Sequence, residues 1–265
     1  MFFAVGKMIG EKCQLRFNYH IKLDLIVARN SRLYFQEVIF VKNLLTTKGF
    51  NCITDYALET INSVDLDRLT NFFDNLSGDD YLQKQYRFRR LSRFEIVEDK
   101  IVKLAHDYLF QSKKYNPILG DVIREYPEIE DELIQRKDFQ DIVREFYEFC
   151  KLCSAHNEIA VHQIRTTTSK NQIGEPAPEG IHRDGVDLVG IFCVNRDRIE
   201  GGVTSLYKSK NDNPIFSKIL NPGEFLIFND EQFFHYTSPI TAIPTEKGVR
   251  DVFVLTCPGL LPPQS

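Results

Sequence analysis

Three residues in the second half of the chain have the types and spacing to bind one metal ion. His182 and Asp184 are separated by a single residue, and His235 follows further along. In an extended segment alternate side chains project from the same face, so the imidazole and the carboxylate would converge. Two histidines and one carboxylate form the facial triad that binds Fe(II) in non-heme oxygenases and leaves other coordination positions open. The spacing therefore predicts an iron site made by His182, Asp184 and His235.

Arg250 has the chemistry that such a site needs next, because its planar guanidinium can donate two parallel hydrogen bonds to one carboxylate. A histidine two residues before an aspartate is by itself more often a pair of surface polar residues. Here, however, all four candidates border apolar runs that predict buried strands, at 186–194, 224–228 and 252–256. Strand ends on a rigid scaffold are common places for binding groups, so these surroundings favour a site.

Four stretches carry a more specific signal. The strongest is the decapeptide 178–187 (PEGIHRDGVD), and the others are 162–165 (HQIR), 195–202 (NRDRIEGG) and 250–256 (RDVFVLT). Together they resemble one branch of the 2-oxoglutarate/Fe(II) dioxygenases, the free L-amino-acid hydroxylases of the isoleucine dioxygenase type. The decapeptide is far more specific than the bare His-x-Asp pair.

The resemblance covers residues 80–258 and is strongest from residue 158 onward. It departs at 229–232 (NDEQ), where relatives tend to carry an acidic and then a basic stretch before the distal histidine. Residues 1–75 match no known family pattern. The segment before His235 and the N-terminal region therefore have no role that the resemblance implies.

The resemblance implies a reaction and its cofactors. His182, Asp184 and His235 would bind Fe(II), and Arg250 would bind the far carboxylate of 2-oxoglutarate. With O2, the site would hydroxylate an aliphatic carbon of a free L-amino acid and release succinate and CO2. Asp184 favours hydroxylation, because halogenases of this class lack the carboxylate and so make room for a halide. A same-fold oxygenase acting on a peptide or nucleic acid, and a non-catalytic jelly-roll binding protein, remain alternatives.

The pattern of apolar residues divides the chain into two parts. The first, 1–157, is predicted to be mainly helical, with helices at 56–77, 98–113 and 138–153, a looser helix between the last two, and a strand at 86–89. Residues 158–265 contain short apolar runs broken by Gly, Pro and Asn, which predicts a sandwich or a jelly roll. We therefore expect an α+β fold in one compact unit: a double-stranded β-helix (jelly-roll) core with the N-terminal helices packed on its major sheet.

Substrate residues are predicted from the alternation of side chains along a strand. In the predicted strand 159–165, Gln163 and Arg165 share one face, and we expect this polar face to line the pocket. Arg165 would then bind the carboxylate of the amino acid, and Asp187 or Glu200 would face its ammonium group. The alternative for Arg165 is a structural ion pair at the end of the strand.

Five basic residues fall close together before the predicted core: Lys84, Arg87, Arg89, Arg90 and Arg93. A solvated face is the commonest explanation of such a cluster, and an arginine that reaches the pocket to bind a substrate carboxylate is the alternative. Nucleic-acid dealkylases of this fold carry a second arginine shortly after the cosubstrate arginine, and aromatic side chains for stacking are expected as well. The chain has no arginine after Arg250 and no Trp, so we expect no nucleic-acid partner.

Composition limits the remaining classes. The 265 residues are 43% hydrophobic, enough for one substantial core, and the net charge of −4 argues against general nucleic-acid binding. The six cysteines lack framework spacing, so we expect buried thiols at Cys150 and Cys153 and a cytoplasmic location. Since no apolar run could span a bilayer, we expect no membrane partner. The resemblance implies a small-molecule substrate, and the oligomeric state is left open. The polar segment 166–180 is either a lid or an ordinary exposed connection.

Overall fold

The computed structural model of the protein describes residues 56–243 and 247–259. Twelve strands lie within these ranges: β1 (Tyr56–Thr60), β2 (Arg87–Val97), β3 (Lys100–Lys103), β4 (Glu158–Thr168), β5 (Leu188–Asp197), β6 (Ile199–Gly201), β7 (Val203–Tyr207), β8 (Phe216–Ile219), β9 (Glu224–Asn229), β10 (Phe234–Thr237), β11 (Ile240–Ala242) and β12 (Gly248–Cys257). The same ranges contain the α-helices α1 (Leu66–Thr70), α2 (Asp131–Ile134) and α3 (Lys137–Cys153), and a 3-10 helix (Asn71–Phe73).

The strands form two layers. Seven of them make one antiparallel sheet in the order β1-β9-β5-β12-β4-β2-β3. A smaller sheet, β10-β7-β8, packs against one face of the large sheet, and β6 pairs with β11 as a two-stranded ribbon. Two antiparallel sheets packed face to face are consistent with a jelly roll, one of the two architectures that the short apolar runs predicted.

Helix α3 covers the outer face of the large sheet. Its buried positions recur every three or four residues and include Phe139 and Phe146. Phe139 lies against Phe253 of β12 with ring centroids 5.5 Å apart, and Phe146 lies against Phe225 of β9 at 6.2 Å. Gly190 allows this close approach, because a Cβ on that residue would lie 2.8 Å from ring atoms of both Phe146 and Phe225.

The inner face of the large sheet points towards the small sheet. Val189 and Ile191 of β5 and Phe228 of β9 form an apolar cluster there with Leu206 of β7. Because side chains alternate along a strand, each strand of the large sheet gives one row to the outer core and one row to the space between the sheets. The inner rows therefore surround any cavity that lies between the two layers.

Several sequence predictions can be compared with the elements. Helix α3 confirms the helix predicted at 138–153, and β2 confirms and extends the strand predicted at 86–89. The helix predicted at 56–77 is wrong in its first part, which pairs with β9 as the edge strand β1. The helix predicted at 98–113 is also wrong, because β3 lies there as the opposite edge strand. Both segments have apolar residues near helical spacing, which predicted helices. Their conformation depends instead on pairing with a neighbouring strand at the sheet edge, and the spacing gives no sign of that pairing.

The large sheet also continues across the predicted domain boundary. Strands β1, β2 and β3 precede residue 158 but pair with strands that follow it or with each other. Residues 1–55, which the sequence analysis included in a mainly helical region, lie outside the described residues. Among the described residues, Cys150 and Cys153 are buried free thiols, as predicted. No helix in the described ranges has the length and apolar character needed to cross a membrane.

A buried ion pair joins the outer rows of β4 and β12. Arg165 donates from Nε to Oδ1 of Asp251 at 2.7 Å and from Nη2 to Oδ2 at 2.9 Å. Asp251 is fully buried, whereas the second partner of Arg165, Asp74 at 2.7 Å, is exposed. Removing one member of a buried pair leaves the other charge desolvated and alone. The pair therefore gives Arg165 a structural role, the alternative that the sequence left open.

We predict that Arg165→Ala lowers the free energy of unfolding by about 3 kcal/mol, because the buried Asp251 carboxylate loses its charged partner and keeps only the neutral Asn195 amide. Asp74→Asn is the matched control, since it removes only the exposed partner of the same arginine and should cost less than about 1 kcal/mol. Urea denaturation with unchanged m-values measures both effects. An Arg165→Ala protein as stable as wild type would contradict this structural role and favour the position in the pocket that the sequence analysis gave to Arg165.

Candidate metal centre

Two backbone hydrogen bonds bring the candidate histidines together. His182 lies in the connection before β5, and His235 lies on β10 of the small sheet. The N–H of His182 donates to the carbonyl of His235 at 3.0 Å, and the N–H of His235 donates to the carbonyl of His182 at 2.8 Å. This isolated antiparallel bridge places the two imidazoles side by side, with ring centroids 4.2 Å apart.

The three residues predicted as metal ligands converge at this bridge. One ligand atom each from His182, Asp184 and His235 lies within 4.8 Å of the other two, so the group is able to hold a metal ion. Oδ1 of Asp184 is 3.6 Å from Nε2 of His182, and Oδ2 is 3.7 Å from Nε2 of His235. Both histidines are buried, and Asp184 is only partly exposed.

A carboxylate behind this group fixes the loop that carries Asp184. Oδ1 of Asp230, a buried residue, accepts the N–H of Asp184 at 3.1 Å. Oδ2 of the same residue accepts the N–H groups of Gly185 at 2.7 Å and Val186 at 3.3 Å. Gly185 has φ +86°, and a Cβ there would lie 2.6 Å from the Tyr115 ring. The loop therefore depends on a glycine that allows its backbone and on a carboxylate that accepts three successive amides.

Hydrogen bonds also orient the ligand atoms. Nδ1 of His182 lies 2.8 Å from the carbonyl of Gly180 and donates to it, which leaves Nε2 as the nitrogen available to a metal ion. Nε2 of Gln111 donates to Oδ1 of Asp184 at 2.8 Å. Partners of this kind fix the tautomer and the orientation of metal ligands.

The charges around the group favour a cation at its centre. Burial alone lowers the pKa of His182, but the carboxylates of Glu179 and Asp184 raise it above its ordinary value overall. Burial and then the positive charge of His182 lower the pKa of His235 well below its ordinary value. Burial and the neighbouring charge of Asp184 raise the pKa of Asp230. A positive ion among these carboxylates would relieve their mutual repulsion.

Arg250 lines the same cavity as the three convergent residues. It lies on the inner row of β12, opposite Thr166 of β4, and is 3% exposed. Its Nη2 atom is buried and has no hydrogen-bond partner among the described residues. Burial is the main cause of the lowered pKa of its guanidinium. An anionic ligand in the cavity would supply the missing acceptor.

Two arginines of the basic cluster form another part of the cavity lining. Arg87 and Arg89 are each 5% exposed and point inward from β2, so the predicted solvated face is wrong for them. Arg90 and Arg93 form ion pairs and do not line the cavity, and Lys84 is exposed. The structure thus agrees with the alternative, in which arginines of this cluster reach the pocket.

The residues predicted to contact the substrate do not line the cavity. Gln163 and Arg165 lie on the outer row of β4, where Gln163 donates to the carbonyl of Phe72 at 2.8 Å. The predicted parity of this strand is therefore wrong, and its inner row presents His162, Ile164 and Thr166. A polar outer row is stable here because the Phe72 carbonyl and the Asp251 carboxylate pair with it. Asp187 accepts a hydrogen bond from Ser154, and Glu200 is exposed on β6.

The segment 166–180 contributes to the cavity wall. Gly174 exchanges two backbone hydrogen bonds with Ile240, at 3.1 and 2.8 Å. Pro176, Ala177 and Glu179 then line the cavity. The second half of the segment is therefore not an ordinary exposed connection.

Three further residues of the site were not predicted from the sequence. Asp230 follows an apolar strand directly, and an acidic residue at a buried strand end needs hydrogen-bond donors, so that position does give a signal. Gln111 and Arg124 come from the irregular connection between β3 and α2. Gln111 lies 73 positions from Asp184, and only the folded chain brings them together.

Comparison with known proteins gives consistent matches. The model of a family described as 2OG-Fe dioxygenase matches residues 70–256. The L-isoleucine-4-hydroxylase of Bacillus thuringiensis is 26% identical over 189 residues, 69% of this chain and 78% of that protein. The 3(1)-hydroxy-L-isoleucine 4-dioxygenase of Pantoea ananatis (strain AJ13355) is 26% identical over 156 residues, 55% of this chain and 62% of that protein. The crystal structure of a bsmA homolog from Methylobium petroleophilum PM1 has a TM-score of 0.67 and 25% identity, covering 77% of this chain and 88% of its own.

We predict that Asp230→Asn weakens Fe(II) binding by about tenfold or more, because an amide cannot accept all three loop N–H groups and the Asp184 loop loses its geometry. Anaerobic calorimetry measures the affinity. Glu231→Gln also replaces a carboxylate by an amide, but at the exposed neighbouring residue. It should leave the Fe(II) affinity within about twofold of wild type. Equal affinities in the two variants would show that the backbone alone positions the loop.

Proposed function

The chain belongs to the 2OG-Fe dioxygenase family, and on that premise we propose that it hydroxylates an aliphatic carbon of a free L-amino acid. The family match confirms the resemblance that the sequence motifs carried. The observation that supports the proposal most strongly is one cavity lined by His182, Asp184, His235 and an underpaired Arg250. The cofactors are Fe(II), 2-oxoglutarate and O2.

His182, Asp184 and His235 would hold the iron. Two neutral imidazoles and a carboxylate are the donor set that suits non-heme Fe(II), and the site has no fourth protein ligand among the described residues. Gln111 would keep Asp184 in position through its hydrogen bond to Oδ1. When bound, iron, cosubstrate and O2 supply the oxidising chemistry that inserts oxygen into a C–H bond, with succinate and CO2 as products of the cosubstrate.

Arg250 would bind the far carboxylate of 2-oxoglutarate. Its buried Nη2 lacks an acceptor, and a carboxylate can accept two parallel hydrogen bonds from one guanidinium. Thr256 lines the cavity from the same strand and also has a buried hydroxyl without a partner. Both groups would bind a polar ligand that enters the cavity, and the low-dielectric surroundings would strengthen the contact.

The substrate class rests on the relatives and on the cavity lining. One relative is named as a hydroxylase of L-isoleucine and the other as a dioxygenase of a hydroxy-L-isoleucine. The cavity combines buried cations with aliphatic side chains, namely Leu109, Ile164, Ile191, Val252 and Val254. Such a lining suits a small molecule with a charged end and an aliphatic end.

The alternatives fit these observations less well. A nucleic-acid substrate would need basic residues along an exposed surface, whereas Arg87 and Arg89 are buried in the cavity. A non-catalytic binding protein would have no need for a complete set of metal-binding groups beside a buried Arg250. A peptide substrate is the remaining alternative within the family chemistry, and activity measurements distinguish it.

We also propose that residues 56–157 support the catalytic core rather than acting as a separate unit. Strand β2 pairs with β4 along its length, and helix α3 packs on the outer row of β5 and β12. These contacts would keep the inner rows of the large sheet in fixed positions around the cavity.

We predict that the protein with Fe(II) and 2-oxoglutarate forms succinate faster when a free aliphatic L-amino acid is added, with L-isoleucine as the first probe. His182→Ala and Asp184→Ala should each reduce this turnover to background, because two remaining ligands hold iron weakly. His156→Ala is the matched control, since it removes an exposed histidine outside the cavity. Stimulation by a peptide or an oligonucleotide alone would refute the amino-acid substrate, and wild-type turnover in either ligand variant would refute the triad.

We predict that Arg250→Ala raises the dissociation constant of 2-oxoglutarate by about 30-fold or more, because a desolvated carboxylate loses a charged partner worth roughly 2 kcal/mol or more. Fe(II) affinity should stay near wild type. Arg250→Lys should recover only part of the loss, since an ammonium group cannot form two parallel bonds to one carboxylate. Anaerobic titration followed by the visible charge-transfer band measures the affinity, and an unchanged value in the alanine variant would assign the carboxylate to another residue.

A further inference from the structure

Three buried arginines lie together on the cavity lining. Arg87 and Arg89 come from β2, and Arg124 comes from the connection before α2. They are 5%, 5% and 2% exposed, respectively. Their charges all act on His162, whose pKa is lowered well below its ordinary value by burial and then by Arg89, Arg124 and Arg87. The three guanidiniums therefore form one positive region inside the protein.

Only one of the three charges is balanced. Nε and Nη2 of Arg87 both lie 2.8 Å from Oδ2 of Asp79. Arg89 approaches that carboxylate no closer than 3.9 Å, and its Nη2 instead contacts Nδ1 of His162, a neutral ring, at 2.5 Å. Arg124 has no carboxylate within ion-pair distance among the described residues, and its Nη2 donates to Oε1 of Gln111 at 2.9 Å. Two buried cations thus lack a counter-charge of their own.

Arg89 and Arg124 also have nitrogen atoms without a hydrogen-bond acceptor. Nε of Arg89 and Nε of Arg124 are both buried without a hydrogen-bond partner among the described residues. The Arg89 guanidinium lies over the ring of Tyr126, 4.2 Å from its centroid, so its plane is fixed while its edge remains available. Burying a cation with unpaired donors costs free energy unless a ligand supplies the missing negative charge and acceptors.

Arg93, on the same strand, provides a comparison because its charge is balanced by carboxylates of the protein. It lies on the same side of β2 as Arg89, four residues further along. It donates to Asp107 at 2.7 Å and to Glu158 at 3.1 Å, and it does not line the cavity. The charge deficit is therefore confined to the cavity and is not a general property of β2.

Building on the proposed hydroxylation of an amino acid, we propose that Arg89 and Arg124 bind the α-carboxylate of that substrate. Gln111 links this pair to the metal centre, because its Oε1 accepts from Arg124 at 2.9 Å and its Nε2 donates to Asp184 at 2.8 Å. One amide group and two hydrogen bonds thus separate Arg124 from a candidate iron ligand.

The cavity then contains two separate anion sites. Arg250, on β12, would bind the cosubstrate, and the Arg89–Arg124 pair would bind the substrate. Aliphatic residues of the same cavity, including Ile164 and Val252, would contact the side chain. Recognition of the carboxylate at a fixed distance from the iron would select free amino acids over peptides that lack a carboxylate at that position, and it would determine which carbon is oxidised.

The test separates substrate affinity from cosubstrate affinity in the full chain with Fe(II) and 2-oxoglutarate. Probes are L-isoleucine and L-leucine, each compared with its carboxamide. In wild type, the acids should stimulate succinate formation and the amides should need at least about 30-fold higher concentrations, as expected for a lost charge-assisted pair. Arg89→Gln and Arg124→Gln should raise the KM for the acids by a similar factor and remove the preference for acid over amide, with the KM for 2-oxoglutarate unchanged within about twofold.

Arg90→Gln is the matched control, because this neighbour on β2 pairs with Glu130 outside the cavity and should leave both KM values near wild type. If a glutamine variant does not fold, as judged by thermal melting, Arg124→Lys and the acid–amide comparison in wild type decide instead. Wild type that accepts acids and amides equally, or glutamine variants in which the KM for 2-oxoglutarate rises with that for the amino acid, would overturn this assignment alone. Wild type that ignores every amino-acid probe would overturn the proposed substrate class as well.

Discussion

The alternation of side chains along the strands of the large sheet is the constraint on which the site depends. One set of rows has to be apolar enough to pack against α3 and the residues around it, as Phe225, Phe253 and Gly190 do. The other set is then free to carry polar groups such as His162, which would be unstable on the packed face. A shift of one residue in the register would exchange the two sets and remove both the core and the cavity.

The small sheet and the loops provide the three side chains of the candidate metal group. His235 comes from β10, and Asp184 comes from a loop whose backbone is fixed by Asp230. The two histidines are joined by a pair of backbone hydrogen bonds, so the metal group joins the small sheet to the connection that enters β5. The position of the group therefore depends on contacts between the layers, and side-chain packing on either side of it affects its geometry.

Features with a short repeat or a local motif could be predicted from the sequence. Helix α3 follows from apolar positions at helical spacing, and the convergence of His182 with Asp184 follows from their separation by one residue. The inner face of β4 was predicted wrongly, because a polar face was taken to mean a pocket. Arg165 is instead half-buried on the outer face and pairs with the buried Asp251. The contribution of Gln111 depends on a long connection that carries no periodic pattern, so tertiary structure alone brings it to the site. Edge strands such as β3 are short and weakly patterned, and their pairing partners decide their conformation.

Charge compensation divides the arginines discussed above into two groups. Arg165 and Arg93 each have carboxylates at hydrogen-bond distance, and these pairs join neighbouring segments of the chain. Arg250 and Arg124 are buried at least as deeply, yet each has a donor without an acceptor. Burying unbalanced cations opposes folding, so the other contacts of the fold have to offset that cost. Binding of anionic ligands would therefore gain free energy, because it would complete electrostatic contacts that the folded chain leaves open.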